Sequence, residues 1–401
     1  MEKVDFLTVG SGIVGLATSY QILKQNKNAS LIVLEKESEI ASHQTSKNSG
    51  VIHSGLYYKP GSLKAKNCLE GREALIKFCD EFNIKKERCG KIIVASDEKE
   101  LSRLYELEKR GNANKVEGLK IISKEEIKEI EPHIKAIKGL HVPSCEITDY
   151  FKVSKKIKEE IEKLGGKVLL NQKVIGIKKE GSDFSISTET DTFKAKFLIN
   201  CAGLHSDRIA KMAMPGEKLP LKIIPFRGEY YDIKKEKKDL IKALVYPVPD
   251  PNFPFLGVHL TRMINGSVHA GPNAVFAFAR EGYKKSDINM KDLMDSLLYK
   301  GFVKIAFKYW KMGLFEMYRS FSKKAFLRSM QKMLPQIEMD DIEAGSSGIR
   351  AQAVGSDGRL IDDFAILKKE NQVHVLNAPS PAATACMAIA KHISELTKSP
   401  K

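Results

Sequence analysis

The sequence lacks any apolar run that approaches the roughly 18 residues of a bilayer-spanning helix. Its first residues also lack the apolar segment of a signal peptide. The 6 cysteines include no Cys-x-x-Cys pair, and no cluster of histidines completes a zinc-binding pattern. These absences predict a cytoplasmic protein with reduced cysteines, no spanning helix and no bound metal.

Acidic residues are too few to balance the basic ones. The chain has 50 Asp and Glu against 66 Lys and Arg, which gives a net charge of +16. Such an excess suits an anionic membrane surface, a nucleic acid or an anionic substrate. No recognised nucleic-acid-binding motif accompanies the charge, so RNA association remains a remote alternative and no nucleic-acid partner is expected.

Basic and aromatic residues are interleaved within 299–328. Four of the lysines recur at helical spacing and define a basic face: Lys300, Lys304, Lys308 and Lys311. Such a helix can pack on the protein with a solvated lysine face, or it can lie on an anionic bilayer. We predict peripheral attachment to the inner face of the cell membrane through this segment.

The chain begins with a glycine-rich turn in a complete structural context. An apolar strand precedes Gly10, Gly12 and Gly15, a helical pattern follows them, and a second apolar strand ends at Glu35. In such a turn the first glycine permits the tight bend, the second lets a pyrophosphate approach, and the third packs the helix on the strand. Glu35 can accept hydrogen bonds from ribose hydroxyls. The pattern predicts a dinucleotide site that disfavours NADP.

Elements of the same fold return late in the chain, where the buried strand Phe197–Asn200 runs into a glycine turn. Residues 221–275 are rich in strand patterns, and residues 287–334 have helical patterns. We therefore predict an α/β protein whose discontinuous Rossmann-like dinucleotide-binding domain carries an inserted substrate domain, mainly antiparallel β plus helices. The expected nucleotide-domain segments are 1–90, 146–220 and 336–401, and the expected substrate-domain segments are 91–145 and 221–335.

Four long segments resemble one known family. They are Asn48–Gly55 (NSGVIHSG), 254–261 (PFLGVHLT), Gly271–Val275 (GPNAV) and Asn377–Thr384 (NAPSPAAT). With the glycine turn, they resemble the L-2-hydroxyglutarate oxidase/dehydrogenase family of D-amino-acid-oxidase-like flavoproteins, from Val4 to about His392. The resemblance implies FAD as cofactor and oxidation of L-2-hydroxyglutarate to 2-oxoglutarate. A hydride would pass from C2 to flavin N5, and the electrons would then pass to a quinone or to oxygen.

The resemblance also implies which residues bind FAD. Gly10, Gly12 and Gly15 would hold the pyrophosphate, and Glu35 the adenosine ribose. A helix N-terminus near Ala382–Thr384 could face the N1/C2=O edge of the reduced flavin. The other cofactor-binding residues that it implies are Thr45, Ser46, Asn48, Ser49, Gly50, Val174, Ala202, Gly203, Gly348, Pro381 and Ala383.

Oxidation of a 2-hydroxy acid needs a base for the hydroxyl proton, and histidine has a suitable pKa. His53 is the first candidate, although it could also be structural or a point of flavin attachment. His259 is the second, and His269 is a weaker one that could bind substrate instead.

A dicarboxylate needs cationic ligands. Arg350 is the first candidate, because related flavin oxidases bind a substrate carboxylate with an arginine in this region. Arg262 and Arg227 are second choices, although Arg227 could equally be a surface residue. Tyr57 could form a wall of the pocket.

The main alternative is a related FAD oxidoreductase that acts on an amine, an amino acid or glycerol 3-phosphate. The segments 254–261 and Gly271–Val275 match the hydroxyglutarate family and not those relatives. A basic RNA-associated flavoprotein is supported by charge alone. The residues leave open the electron acceptor, covalent attachment of FAD, the oligomeric state, the identity of the base and the preferred chain length of the hydroxy acid.

Overall fold

The computed structural model describes residues 2–250 and 256–398. The strands are β1 Glu2–Val9, β2 Leu31–Leu34, β3 Val51–Ile52, β4 Lys86–Glu87, β5 Lys91–Ala95, β6 Lys120–Ser123, β7 Lys138–Val142, β8 Glu146–Thr148, β9 Lys167–Leu169, β10 Val174–Glu180, β11 Asp183–Thr188, β12 Thr192–Asn200, β13 Leu221–Ile233, β14 Leu244–Pro247, β15 His259–Arg262, β16 Val268–Gly271, β17 Val275–Phe276, β18 Ile342–Gly355, β19 Ala365–Lys369 and β20 Gln372–Asn377. The helices are α1 Ile13–Gln25, α2 Leu63–Glu81, α3 Leu101–Ala113, α4 Lys124–Ile130, α5 Tyr150–Lys163, α6 Ser206–Ala213, α7 Met290–Leu297, α8 Lys300–Phe321, α9 Lys323–Gln331 and α10 Cys386–Leu396.

The first sheet is built around parallel strands. Its order is β10-β11-β12-β1-β2-β9, and β20 pairs with the other edge of β12. The pairs β1/β12, β1/β2, β2/β9 and β12/β20 are parallel, whereas β10, β11 and β12 form an antiparallel meander. All four residues of β2 are buried, as expected for a strand covered on both faces. Helices α1, α5 and α10 share one hydrophobic core with this sheet.

The second sheet is larger and mostly antiparallel. Its order is β17-β13-β16-β15-β14-β5-β7-β6, and β18 pairs with β13 along most of its length. Helix α9 packs on this sheet through Phe326 and Met330. The mixed α/β fold, with a Rossmann-like sheet and a second antiparallel sheet, is confirmed.

The division into domains stays a prediction. Strand β18 lies in the second sheet, although the sequence analysis assigned 336–401 to the nucleotide domain. The nucleotide sheet resumes only at β19. The predicted strand 255–261 is observed as His259–Arg262, and its first residue, with Pro254, lies outside the described residues.

Candidate active site

A cavity of about 1030 Å³ is lined by residues of both sheets. One end is formed by Gly10, Glu35 and Val174 of the nucleotide sheet. The other end includes His259 and Arg350, from β15 and β18 of the second sheet. The cavity therefore connects the dinucleotide turn with the candidate catalytic residues.

The glycine turn has the geometry that its sequence predicts. Gly10 has φ = 102°, and a Cβ there would lie 2.6 Å from the Cys201 carbonyl oxygen. A Cβ on Gly15 would lie 2.0 Å from the Gly10 carbonyl oxygen, so Gly15 serves close packing and does not line the cavity. Gly12 is the N-cap of α1 and lines the cavity, and its lack of a capping side chain leaves helix N–H groups for an anion.

Glu35 organises the turn from the end of β2. Its Oε2 accepts hydrogen bonds from the Ser11 backbone N–H (2.9 Å) and from the Ser11 hydroxyl (2.7 Å). The carboxylate also lines the cavity beside Val174. Ala202 and Gly203 line the same region, and Gly203 has φ = 51°. The turn, the acid and this cavity wall fit the adenosine and pyrophosphate portions of a dinucleotide.

A charged cluster lies beside this end of the cavity. The Lys36 Nζ lies 2.7 Å from Glu281 Oε1 and 3.0 Å from His43 Nε2, and it also contacts Glu37. Glu281 Oε1 also lies 2.8 Å from His205 Nε2. His43 and His205 both line the cavity. Lys36 contacts both carboxylates, so its charge offsets part of the negative charge of the cluster.

The loop after α1 and β2 is held by its own side chains. Asn48 Nδ2 donates to the Gln44 and Thr45 carbonyl oxygens, and Asn48 Oδ1 accepts the Gly50 N–H at 2.8 Å. Asn48, Ser49 and Thr45 line the cavity, whereas Gly50 and Ser46 do not. Gly50 instead provides φ = 65°, and the Ser46 hydroxyl donates to the Ala41 carbonyl oxygen. Asn48, Gly50 and Ser46 therefore shape this loop.

The segment Asn377–Thr384 closes one side of the cavity, and Pro381, Ala382, Ala383 and Thr384 all line it. Thr384 Oγ1 accepts the His53 backbone N–H at 3.1 Å and lies 3.0 Å from the Tyr150 hydroxyl. Helix α10 begins at Cys386, just after the expected start near Ala382–Thr384. Gly348 also lines the cavity, and a Cβ there would lie 2.4 Å from the Lys47 carbonyl oxygen.

His259 is buried and held in one orientation. Its Nδ1 lies 2.9 Å from the Gly257 carbonyl oxygen, so Nδ1 carries the proton and donates it, and Nε2 keeps a lone pair. Its ring stacks on Tyr246 with centroids 4.0 Å apart. Burial lowers the pKa of His259 to about 3, and the charges of Lys91 and Arg350 act in the same direction. The imidazole is therefore neutral and can accept a proton.

His53 lines the same cavity but is less firmly held. Its Nε2 is 3.5 Å from the Ser380 hydroxyl, which is a long contact for a hydrogen bond. Burial lowers the pKa of His53 to about 3, helped by the charge of Lys91. Both candidate bases are therefore present as neutral imidazoles, but only His259 has a tautomer fixed by a short hydrogen bond.

We expect the acid limb of kcat/KM to lie below about pH 5 rather than near 6.5, the ordinary histidine pKa. A base is active in its neutral form, so lowering its pKa moves the loss of activity to lower pH. The measurement is a pH profile of kcat/KM with FAD kept saturating. An acid limb near pH 6.5 would contradict the lowered pKa of the catalytic histidine.

Three predicted substrate ligands lie outside the cavity lining. Arg227 is buried rather than at the surface, and its Nε donates to Glu229 Oε1 at 3.0 Å. Arg262 Nε pairs with Glu87 Oε1 at 3.1 Å. His269 Nδ1 lies 3.6 Å from Asp232 Oδ1. Each of the three is engaged with a carboxylate of the chain. Of the residues predicted to bind substrate or act in catalysis, Arg350, His53, His259 and Tyr57 line the cavity.

Sequence reasoning missed three side chains near the histidines. Tyr246 stacks on His259, Tyr230 lines the cavity, and Lys91 is 1% exposed with its Nζ 4.2 Å from the Tyr246 ring centroid. Burial lowers the pKa of Arg350, whereas Tyr230 nearby favours its charged form. The one local signal for Lys91 was its place at the start of the apolar strand β5.

The basic and aromatic segment 299–328 divides between core and surface. Phe302, Phe326 and Leu327 are buried. Arg319 pairs with Glu316 at 3.2 Å, and both side chains are largely buried, so neither contributes to a surface charge. Six exposed apolar side chains of α8, five of them aromatic, form what we call the aromatic face: Phe307, Trp310, Leu314, Phe315, Tyr318 and Phe321. Within the described residues, helices with the length and apolarity for crossing a bilayer are absent.

The family model "FAD dependent oxidoreductase" matches residues 5–396. L-2-hydroxyglutarate dehydrogenase of Indibacter alkaliphilus is 51% identical, over 98% of both chains. The chain belongs to the L-2-hydroxyglutarate dehydrogenase family of FAD-dependent oxidoreductases. The Escherichia coli K12 member is 42% identical, over 97% of this chain and 92% of its own. The predicted family, FAD cofactor and oxidoreductase activity on a CH–OH donor are confirmed.

Solved structures confirm the fold. L-α-glycerophosphate oxidase from Mycoplasma pneumoniae, solved with FAD bound, matches 100% of this chain and 97% of its own with a TM-score of 0.80. Glycine oxidase from Geobacillus kaustophilus matches 99% of this chain with a TM-score of 0.75. Their identities are 23% and 15%, so the likeness extends to the fold alone.

Proposed function

We propose that this flavoenzyme oxidises L-2-hydroxyglutarate to 2-oxoglutarate, with His259 as the base and Arg350 as a carboxylate ligand. The observation that carries the proposal is that one cavity joins the dinucleotide turn to a neutral, oriented histidine and an arginine. The names of the relatives support the substrate. The 51% identity with the Indibacter alkaliphilus enzyme over nearly the full length supports this substrate more strongly than the likeness of folds does.

The residues divide the reaction between them. FAD, when bound, supplies the hydride acceptor for C2 of the substrate. His259 Nε2 takes the hydroxyl proton, since Nδ1 is already committed to Gly257. Arg350 can hold one carboxylate with paired N–H groups. A bound carboxylate near His259 would raise its pKa and make it a stronger base at the moment it is needed.

Anaerobic bleaching of the flavin tests the substrate. L-2-hydroxyglutarate is expected to bleach the oxidised flavin spectrum, while D-2-hydroxyglutarate, L-lactate, L-malate and glycerol 3-phosphate leave it oxidised at equal concentration. In the Arg350→Met variant the same bleaching should need roughly tenfold more substrate, because a hydrogen-bonded charge pair is lost. A flavin that stays oxidised with the L-isomer but is bleached by glycerol 3-phosphate or an amino acid would assign the protein to a related activity.

We also propose that the aromatic face rests on an anionic bilayer, from which a quinone could take the electrons. Phe307 and Phe321 are 79% and 70% exposed, which is costly in water and favourable at a lipid interface. Exposed lysines flank these rings: Lys300, Lys304, Lys308, Lys311 and Lys324. Their charges complement acidic lipid headgroups. Oxygen remains the alternative acceptor, favoured if the protein stays in solution.

Liposome flotation measures this attachment. The holoenzyme is expected to float with vesicles that contain anionic phospholipid and to stay in solution with purely zwitterionic vesicles. The double variant Phe307→Ser/Phe321→Ser should lose flotation and keep its rate of flavin reduction, because both side chains are exposed and neither is among the described residues that line the cavity. A wild-type protein that stays in solution with anionic vesicles would contradict the proposal.

A further inference from the structure

Lys91 is a buried lysine that pairs with no carboxylate of the described residues. It begins β5 and is 1% exposed. Its ammonium group lies over aromatic rings: Nζ is 4.2 Å from the ring centroid of Tyr246 and 5.3 Å from that of Tyr57. Within residues 2–250 and 256–398, no ion pair involves it. A buried charge that lacks a counter-ion is costly, so its place needs an explanation.

Tyr57 contributes a second unsatisfied group at the same place. Its hydroxyl oxygen is buried and has no hydrogen-bond partner among the described residues. Tyr57 and Tyr246 both line the cavity, together with His53 and His259. A buried hydroxyl that donates to nothing and a buried ammonium that faces no carboxylate are both relieved by the same kind of ligand, an anion in the cavity.

Two positive charges lie near the histidine pair. Lys91 Nζ lies 4.2 Å from the ring centroid of Tyr246, and that ring stacks on His259 with centroids 4.0 Å apart. The charge of Lys91 accordingly lowers the pKa of both His259 and His53. Arg350 also influences His259. The histidine pair therefore has two cations in its surroundings, Arg350 on β18 and Lys91 on β5. Two cations match a substrate that carries two carboxylates.

We propose that Tyr57 and Lys91 form the subsite for the second carboxylate of the substrate, the one that Arg350 does not hold. Tyr57 donates its hydroxyl proton in a hydrogen bond to that carboxylate. Lys91 stands behind the two tyrosine rings and supplies positive potential in surroundings where water does not screen it. Lys91 is thus a specificity-determining residue that acts through space, and a dianion is preferred to a monoanion of the same length. This assignment rests on the proposed function.

The test compares two non-reacting ligands that differ by one carboxylate. Glutarate is a five-carbon dianion and pentanoate is the matched monoanion. Their dissociation constants are measured from the change in flavin absorbance of the holoenzyme on binding. In Lys91→Met and in Tyr57→Phe, glutarate is expected to bind roughly tenfold more weakly, while pentanoate binding changes little. Lys167→Met is the control, because Lys167 is an exposed lysine paired with Glu2 and its loss removes the same charge.

Substrate reduction separates this inference from the proposed function. If L-2-hydroxyglutarate fails to bleach the wild-type flavin, the proposed function fails, and the glutarate comparison still decides whether the subsite exists. If it bleaches the flavin, the two variants should need more substrate with little change in the limiting rate of reduction. A glutarate-to-pentanoate preference within threefold of wild type in both variants would overturn the subsite. Lys91→Met replaces an unpaired buried charge by an apolar side chain, so folding should be preserved.

Discussion

Replacing His259 by glutamine is expected to slow flavin reduction by L-2-hydroxyglutarate roughly a thousandfold, with FAD still bound. Glutamine keeps a hydrogen-bonding side chain beside the Gly257 carbonyl but offers no basic nitrogen. The proton of the substrate hydroxyl would then have no acceptor of suitable pKa. Stopped-flow absorbance under anaerobic conditions measures the limiting rate of reduction directly, separate from reoxidation.

His53→Gln is the matched control for this experiment, since the two histidines share a cavity and a lowered pKa. We expect His53→Gln to slow flavin reduction only roughly tenfold, because the long contact with Ser380 does not fix the ring of His53. The reverse order of effects, with the larger loss in His53→Gln, would move the base to His53. That result would return the assignment to the first candidate of the sequence analysis.

The second large effect is expected at the cofactor. Gly12→Ala should weaken FAD binding roughly a hundredfold while leaving the apoprotein folded, because an added methyl group would occupy space that the pyrophosphate needs. In the structure a Cβ at Gly12 meets only Thr45 Oγ1, at 3.4 Å, so the fold accommodates it. Titration of apoprotein with FAD gives the dissociation constant, and thermal unfolding of the apoprotein reports the fold.

Gly15→Ala provides the contrast. A Cβ there would lie 2.0 Å from the Gly10 carbonyl oxygen, so α1 must move away from the turn. We expect this variant to lower the unfolding temperature of the apoprotein as well as the affinity for FAD. Equal apoprotein stability in the two variants would contradict the division between a cofactor-contacting glycine and a packing glycine.

Local sequence was sufficient for the dinucleotide turn because its parts are contiguous or nearly so. Gly10, Gly12, Gly15 and Glu35 lie within one β-α-β unit, and each glycine has a separate steric requirement. The start of α4 is equally local, because the Ser123 hydroxyl accepts the Glu126 backbone N–H and the Glu126 carboxylate accepts the Ser123 N–H. Features of this kind need no knowledge of distant strands.

The substrate ligands depended on pairings that the sequence does not display. His269 lies directly opposite Asp232 in the β13/β16 register, which removes it from the cavity. Arg262 pairs with Glu87, 175 residues away. Arg227 did carry a local signal, because Arg227 and Glu229 share one face of a strand and can pair. Lys91 was missed because a lysine at the start of a strand is usually solvated.

Strand β18 couples the cofactor end of the cavity to its substrate end. Gly348 and Arg350, the proposed carboxylate ligand, are separated by one residue on this strand. A Cβ on Gly348 would lie 2.4 Å from the Lys47 carbonyl oxygen, in the loop that lines the cofactor end of the cavity. Alternate residues of a strand share a face at a spacing of roughly 6.6 Å. The spacing between this contact and Arg350 is therefore fixed by the backbone of β18. A hinge between the two sheets would move both residues together, so it would break the packing of Gly348 on Lys47 and withdraw Arg350 from the cofactor end in a single motion.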